Sequence, residues 1–295
     1  MTDKVYNFSY SKIATYLECP KRYELQIIRD LAPFKENIYT SFGSAIHKAI
    51  QLSIEKKYNI EESIVIFEKE LKEHIKRMDP RESQLIFINE WINKAKPLLQ
   101  YYFDNFYDKI KNKEIEVLGV EKYFSFEIQP GIFYNGIIDL LIKENIVVEN
   151  TIKVPDIKIL KNGNKKKITK NIVNKDNKIV YKILDWKTGA LKSKEDLQLL
   201  SYTIPLLYLE NILIDNVSYV YLKYSKNVNI DVNKVKINDT KNKIISIINN
   251  IIKDTENNNF NMCLDSKKCK YCNVKKFCDK DFESLLESNS DQIIK

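Results

Sequence analysis

Apolar residues recur at helical spacing through roughly the first 110 positions and alternate with polar ones from about position 115, so helices precede strands. Ile13, Tyr16 and Leu17 make a short helical stripe behind Ser9 and Ser11, both suited to cap a helix N-terminus, and the stripe ends at Cys19-Pro20. Proline fits the first turn of a helix, which predicts a second helix over 21–28 with Cys19 at an accessible junction. After Phe42-Gly43, Ser44 is the expected cap, and Ala45, Ile46, Ala49 and Ile50 define a packed helical face. The helical pattern continues over 61–78 and 82–110, separated at Asp79-Pro80, with Pro97 kinking or breaking the second stretch. Tyr101, Tyr102, Phe103, Phe106 and Tyr107 surround that helix instead of striping it, which predicts burial on several sides.

Strand periodicity appears over 117–126 and 131–142. Asp139 falls among Ile137, Ile138, Leu140 and Leu141, where a carboxylate is costly unless paired, hydrogen-bonded or bound to a cation. From 142 to 181 lysine and asparagine interleave with isoleucine and valine. Asn162-Gly163 is a hairpin signal and Asn174-Lys175-Asp176-Asn177 reads as another turn, giving one or two basic hairpins with Lys158, Lys161, Lys165, Lys166 and Lys167 near the first tip. This segment suits a solvated insertion or a phosphate-contacting flap. In the next strand, Ile183-Leu184-Asp185-Trp186-Lys187, alternation puts Asp185 and Lys187 on one face and Trp186 on the other. Alone, such a pair is an ordinary surface ion pair; at a strand end it can also hold a metal and activate water. An amphipathic helix is expected over 194–210 with Gln198 and Tyr202 sharing a face, then a strand over 214–223. Asp239-Thr240 is expected to cap a last helix striped by Ile244, Ile247, Ile248, Ile251 and Ile252.

Composition narrows the class. With 295 residues, 44% hydrophobic and 30% charged, the chain can bury a core as one large domain or two small ones. No apolar run approaches a membrane span and the first residues lack a signal-peptide pattern, so a cytoplasmic protein with reduced thiols is expected. A net charge of +8 permits a polyanionic partner, although 40 acids are interleaved with the bases. Gly131 and Gly136 have the gap of a phosphate loop, but Ile137-Ile138 follows where Lys-Ser/Thr is needed, which argues against an ATP-driven motor. Of the two histidines, His74 reads as solvated surface and His47 as either a helix residue or a ligand. Cys269, Cys272 and Cys278 can gather three thiolates on one loop. Cys263 as the fourth ligand makes a local zinc knuckle, and Cys19 serves only if the N- and C-terminal segments meet; zinc and iron–sulfur chemistry both fit.

Taken in order, Cys19-Pro20, Gly43…His47, Gly136…Asp139, Asp185-x-Lys187, Gln198…Tyr202 and Cys269…Cys272…Cys278 resemble the PD-(D/E)XK nuclease superfamily. The set is most similar to the RecB/AddB-type nuclease domain with an iron–sulfur cluster, found also in CRISPR adaptation nucleases. The resemblance implies an α/β fold: a mixed, mostly antiparallel sheet flanked by helices, a restriction-endonuclease-like core in one domain over 1–295. It implies a helical insertion at 55–112, a basic β-hairpin insertion at 143–181, longer than the family's usual hairpin, and a cluster lobe from 1–30 plus 260–280. His47, Asp139, Asp185 and the Trp186 carbonyl are implied ligands of Mg²⁺ or Mn²⁺. Lys187 is implied to orient or deprotonate water, while Gln198 and Tyr202 support the site and touch DNA. Cys19, Cys269, Cys272 and Cys278 are implied ligands of a [4Fe–4S] cluster, with Cys263 an extra thiol. The activity implied is a metal-dependent exonuclease on single-stranded DNA ends in repair, recombination or CRISPR adaptation, any helicase being a separate partner. The rival readings are a DNA-binding assembly subunit with a vestigial site and a zinc-knuckle nucleic-acid-binding protein.

Overall fold

The structure, a computed structural model, describes residues 4–32, 35–159, 165–191, 197–263, 265–270 and 272–279. Strand β1 (Tyr6–Ser9) runs straight into α1 (Tyr10–Glu18), where the Ser9 hydroxyl accepts the Lys12 amide as N-cap. Cys19 breaks the helix, caps α2 (Pro20–Tyr23) through its sulfur, and a π-helical turn, Glu24–Ile28, follows. Next come α3 (Ile38–Lys56), α4 (Ile60–Lys76), α5 (Pro80–Ser83), α6 (Ile88–Tyr102), a π-helical turn at Phe103–Tyr107, and α7 (Asp108–Lys111). Capping boxes fix two of these starts: Asn37 with Thr40 for α3, and Asn59 with Glu62 for α4.

Strands β2 (Ile115–Gln129), β3 (Ile132–Ile159) and β4 (Lys165–Lys187) form an antiparallel meander. Helix α8 (Leu197–Glu210) then crosses over to β5 (Asn216–Tyr221), parallel to β4, and β6 (Lys226–Asp231) returns antiparallel. Helices α9 (Lys234–Asn257) and α10 (Ser266–Lys270) complete the order. The six-stranded sheet runs β1-β3-β4-β5-β6, with β2 also on β3. Its strands alternate between two cores. Ile138, Leu141 and Ile183 face a cluster with α1, α8 and α9, whereas Leu140, Leu184 and Trp186 face one with α3, α4 and α6. A sheet covered on both faces explains why these segments read as nearly continuous apolar runs. Trp186 stands edge-on to Tyr102 and Phe106, at 5.7 and 5.2 Å between ring centroids, and these two rings are buried while Tyr101, Phe103 and Tyr107 are half-buried around them. Among the described residues no helix is long and apolar enough to cross a membrane.

The mixed sheet flanked by helices is as expected, and several local readings are corrected. Asn174–Asn177 is no turn: all four residues lie in β4, paired with 147–150 of β3, so ladder pairing overrides their turn preference. Asn162-Gly163 lies outside the described residues. Asn37, not Ser44, caps α3, and Asn233 caps α9 through the Lys236 amide, leaving Asp239 inside the helix. Pro97 sits within α6 without ending it. Helix α8 is buried almost all round instead of amphipathic, and the 214–223 strand ends at Tyr221 in a 3₁₀ turn. His74 is half-buried instead of solvated, its Nδ1 3.3 Å from Glu36 and 2.8 Å from an Arg77 nitrogen. Strands β1 and β6 carry no strong sequence signal.

Candidate active site

The site forms where β3 and β4 part. Their last paired row is Leu140 with Leu184, so Asp139 and Asp185 lie one residue beyond it. The Trp186 amide donates instead to Asp139 Oδ2 at 2.9 Å, a side chain replacing the missing ladder bond. Asp185 is only 4% exposed. Its Oδ2 lies 2.5 Å from Lys187 Nζ, yet that buried oxygen accepts no hydrogen bond of good geometry. Lys187 also stands over the Tyr219 ring at 5.2 Å, which fixes the ammonium beside the carboxylate.

His47 projects from α3, whose neighbouring Ala45, Ile46, Ala49 and Ile50 are buried in the core below. Close approach of this helix to the end of β4 needs Gly43, where a Cβ would meet Thr188 Oγ1 at 3.2 Å. His47 Nε2 donates to the Trp186 carbonyl at 2.9 Å. Its Nδ1 lies 3.4 Å from Asp139 Oδ2 and 3.7 Å from Glu121 Oε1. Burial pulls the His47 pKa down, but Asp139, Glu121 and Asp185 outweigh it and push it up to about 9. Burial raises the Asp139 carboxyl to about 7; Asp185 and Glu121 add to this and His47 opposes it. Three carboxylates thus crowd one imidazole, and the excess negative charge fits a cation.

Glu121 carries no signal that marks it in the sequence. It stands opposite Asp139, between the paired rows Val120–Leu140 and Lys122–Ile138, and its φ of 45° lies in the left-handed region. Such a conformation costs a non-glycine residue about 1–2 kcal/mol, and here it accompanies a carboxylate aimed at His47. His47, Glu121 and Asp139 each offer a ligand atom, all within 4.8 Å of one another. Oxygen donors with one imidazole suit a hard divalent cation, Mg²⁺ or Mn²⁺. The Trp186 carbonyl, expected as a ligand, is engaged by His47 here. A cleft of about 300 Å³, lined by Gly43, Ser44, His47, Lys48, Gln51 and Glu121, opens onto this group.

Gln198 Nε2 donates to the Tyr202 hydroxyl at 3.1 Å, so the predicted shared face is real. Burial pushes the Tyr202 phenol up to about 12; the hydrogen bond from Gln198 opposes this, and Asp185 and Asp139 add to it. Tyr202 packs on Phe124 and over Gly136, where a Cβ would stand 3.1 Å from its ring.

The cysteines gather elsewhere. Cys19, Cys263, Cys269, Cys272 and Cys278 all line one cavity of about 70 Å³, so the N- and C-terminal segments do meet. The Cys263 amide donates to Cys19 Sγ at 3.3 Å, the Cys269 thiol donates to the Cys263 carbonyl at 3.4 Å, and the Lys21 amide bonds Asn261. Burial and the neighbouring sulfurs raise the Cys269 and Cys278 thiols, with Lys21 opposing this at Cys278. Soft thiol donors around one small space fit a zinc or iron–sulfur centre. Among the described residues the sulfurs surround the cavity without converging as the His47 group does.

No curated protein matches this chain. The family model of the PD-(D/E)XK nuclease superfamily does, over residues 7–175 and 172–279, which takes in every residue of both centres. A superfamily of metal-dependent nucleases accounts for acids at a strand fork beside a lysine, and the chain belongs to the PD-(D/E)XK nuclease superfamily.

Proposed function

We propose that the protein is a divalent-metal-dependent exodeoxyribonuclease of the RecB/AddB type, acting on single-stranded DNA ends. The observation that carries this reading is the convergence of His47, Glu121 and Asp139 beside the Asp185–Lys187 pair. Mg²⁺ or Mn²⁺ held by these carboxylates and His47 would supply electrophilic activation of the phosphodiester and of water. The chain's own residues do the rest. The Trp186 amide holds Asp139 in orientation, and the Lys187 ammonium, kept in place by Asp185, meets the negative charge that develops on the phosphate. Gln198 and Tyr202 position the strand from α8. Cys19, Cys269, Cys272 and Cys278 would hold a [4Fe–4S] cluster, whose contribution is to tie the two terminal segments together. A separate helicase or CRISPR adaptation protein is the fitting partner, in repair, recombination or adaptation.

End-labelled single- and double-stranded DNA, linear against circular, tests the activity in Mg²⁺ and Mn²⁺. Wild type should shorten linear single strands and spare circles, with Asp185→Ala and Lys187→Ala each slower by about 100-fold or more. Equal rates for wild type and variants would discard the site, and equal cleavage of circles would discard the exonuclease. Cys263 on the same cavity keeps a zinc knuckle in view as a second reading. Anaerobic purification separates the two: brown, iron-bearing protein supports the cluster, and colourless zinc-loaded protein removes it.

A further inference from the structure

The hairpin of β3 and β4 outruns the sheet. Strand β2 stops pairing at Glu144 and β5 begins at Lys182, so the fifteen rows from Asn145–Ile179 to Ile159–Lys165 form a two-stranded ribbon with no third strand among the described residues. A ribbon of this kind is marginal in water by itself. Its charge is unevenly spread. The inner segments, 145–149 and 175–179, are balanced, with Lys175 on Glu149 and Lys178 on Asp215. The outer segments, 150–159 and 165–174, contain Lys153, Lys158, Lys165, Lys166, Lys167 and Lys170 against Asp156 alone. Five of the chain's eight net positive charges thus sit on twenty residues. The larger cleft at the ribbon's root, about 650 Å³, is no rival anion site, because its lysines 109, 178 and 182 are matched by Glu144, Asp215 and Asp231, with Lys178 on Asp215 and Lys182 on Glu144.

We propose that the outer ribbon is a second nucleic-acid contact, distinct from the catalytic cleft, that grips the backbone of duplex DNA behind the end being cut. Charge complementarity points to a polyanion. The type of nucleic acid follows from what the ribbon lacks. Aromatics make up 11% of the chain, yet 145–179 contains none, so no base-stacking platform for a single strand is present. A two-stranded ribbon fits the major groove of B-form DNA, whereas the deep, narrow groove of duplex RNA does not admit one. At about 3.3 Å per residue, the outer rows lie roughly 35–65 Å along the hairpin from Asp139, one to two turns of B-DNA. The proposal rests on the nuclease reading for why DNA is present at all.

The test measures binding in EDTA, without cleavage, to a 30-base-pair DNA duplex (about three helical turns), a single strand and an RNA duplex of equal length. Replacing the six outer lysines with glutamine should flatten the salt dependence of log K for duplex DNA by about five, from roughly 0.9 per lost phosphate contact. The variant's disadvantage then shrinks about a thousand-fold between roughly 50 and 200 mM salt. Arginine at the same six positions should keep the wild-type slope. In the wild type, duplex DNA should protect these lysines from acetylation, a readout independent of any variant's folding. Unchanged slope, unchanged acetylation, or equal loss on single strands or RNA would overturn the proposal, as would loss of self-association or protein binding with duplex affinity intact. Salt-dependent ribbon binding in a protein that never cleaves DNA would discard the nuclease reading alone.

Discussion

Glu121 offers the sharpest test of the site's electrostatics, because its effect can be calculated and read at one atom. Its Oε1 lies 3.7 Å from His47 Nδ1, with both side chains about one-quarter exposed. Two unit charges at that separation interact by about 1 kcal/mol in bulk water and by about 4 kcal/mol at an effective dielectric of about 20. Dividing by about 1.4 kcal/mol per unit, Glu121→Gln should lower the His47 pKa from about 9 by roughly one to three units in metal-free protein. Asp139, at 3.4 Å, remains and keeps the value from falling further. The chain has two histidines, so a proton NMR titration in EDTA follows His47 with His74 as an internal reference. The Asp139 carboxyl should shift down in the same variant, since Glu121 is one of the charges raising it. A His47 midpoint that moves by less than about half a unit, below the bulk-water limit, would refute the claim that Glu121 faces it as an ionised partner.

Two further outcomes follow from the same geometry. Asp139 is raised to about 7, so its ionised form weakens the fold and stability falls as pH rises from about 4 through 7. His47 is raised to about 9, so its stabilising charge is complete below 6.5 and lost as pH rises through 9. The urea midpoint in EDTA should therefore fall between about pH 5 and 9, and saturating Mg²⁺ or Mn²⁺ should raise it most at the alkaline end. A midpoint that climbs with pH in EDTA would contradict both shifts. Gly136→Ala places a Cβ 2.6 Å from Phe124 Cζ and 3.1 Å from the Tyr202 ring. Overpacking should cost about 1–3 kcal/mol in urea unfolding and lower nuclease activity by moving Tyr202, and unchanged stability would show that the ring has room.

The legibility of the chain followed how local each signal was. Asp139 stood out as an acid in an apolar strand, and Asp185 and Lys187 as like-facing neighbours, because strand alternation is set within a few residues. Cys19 and the C-terminal cysteines came together at one cavity as the resemblance implied, although spacing could not choose between Cys19 and Cys263. Glu121 escaped because it matters only through its register opposite Asp139 and a left-handed backbone, neither of which is written locally. The turn expected at 174–177 fails for the converse reason. Turn-prone asparagines gave a strong local signal that twenty rows of pairing overrode. Asp239 is not the cap, because Asn233, six residues earlier, has an equally good side chain and lies where the chain turns in from β6.

Asp139 and Asp185 both stand at the foot of the same hairpin that carries the ribbon, and this limits how the gene can change length. Losing or gaining one residue in β4 between Val180 and Leu184 would shift the strand by one position, turning Asp185 toward the α3 core and Trp186 out of it. Removing one residue from each strand farther out deletes a whole row and leaves the foot in step. Insertions and deletions can therefore accumulate in matched pairs beyond the sheet, while the few rows next to Asp139 tolerate none. The reach of the arm is free to drift over generations, and the reading frame of its two faces is not.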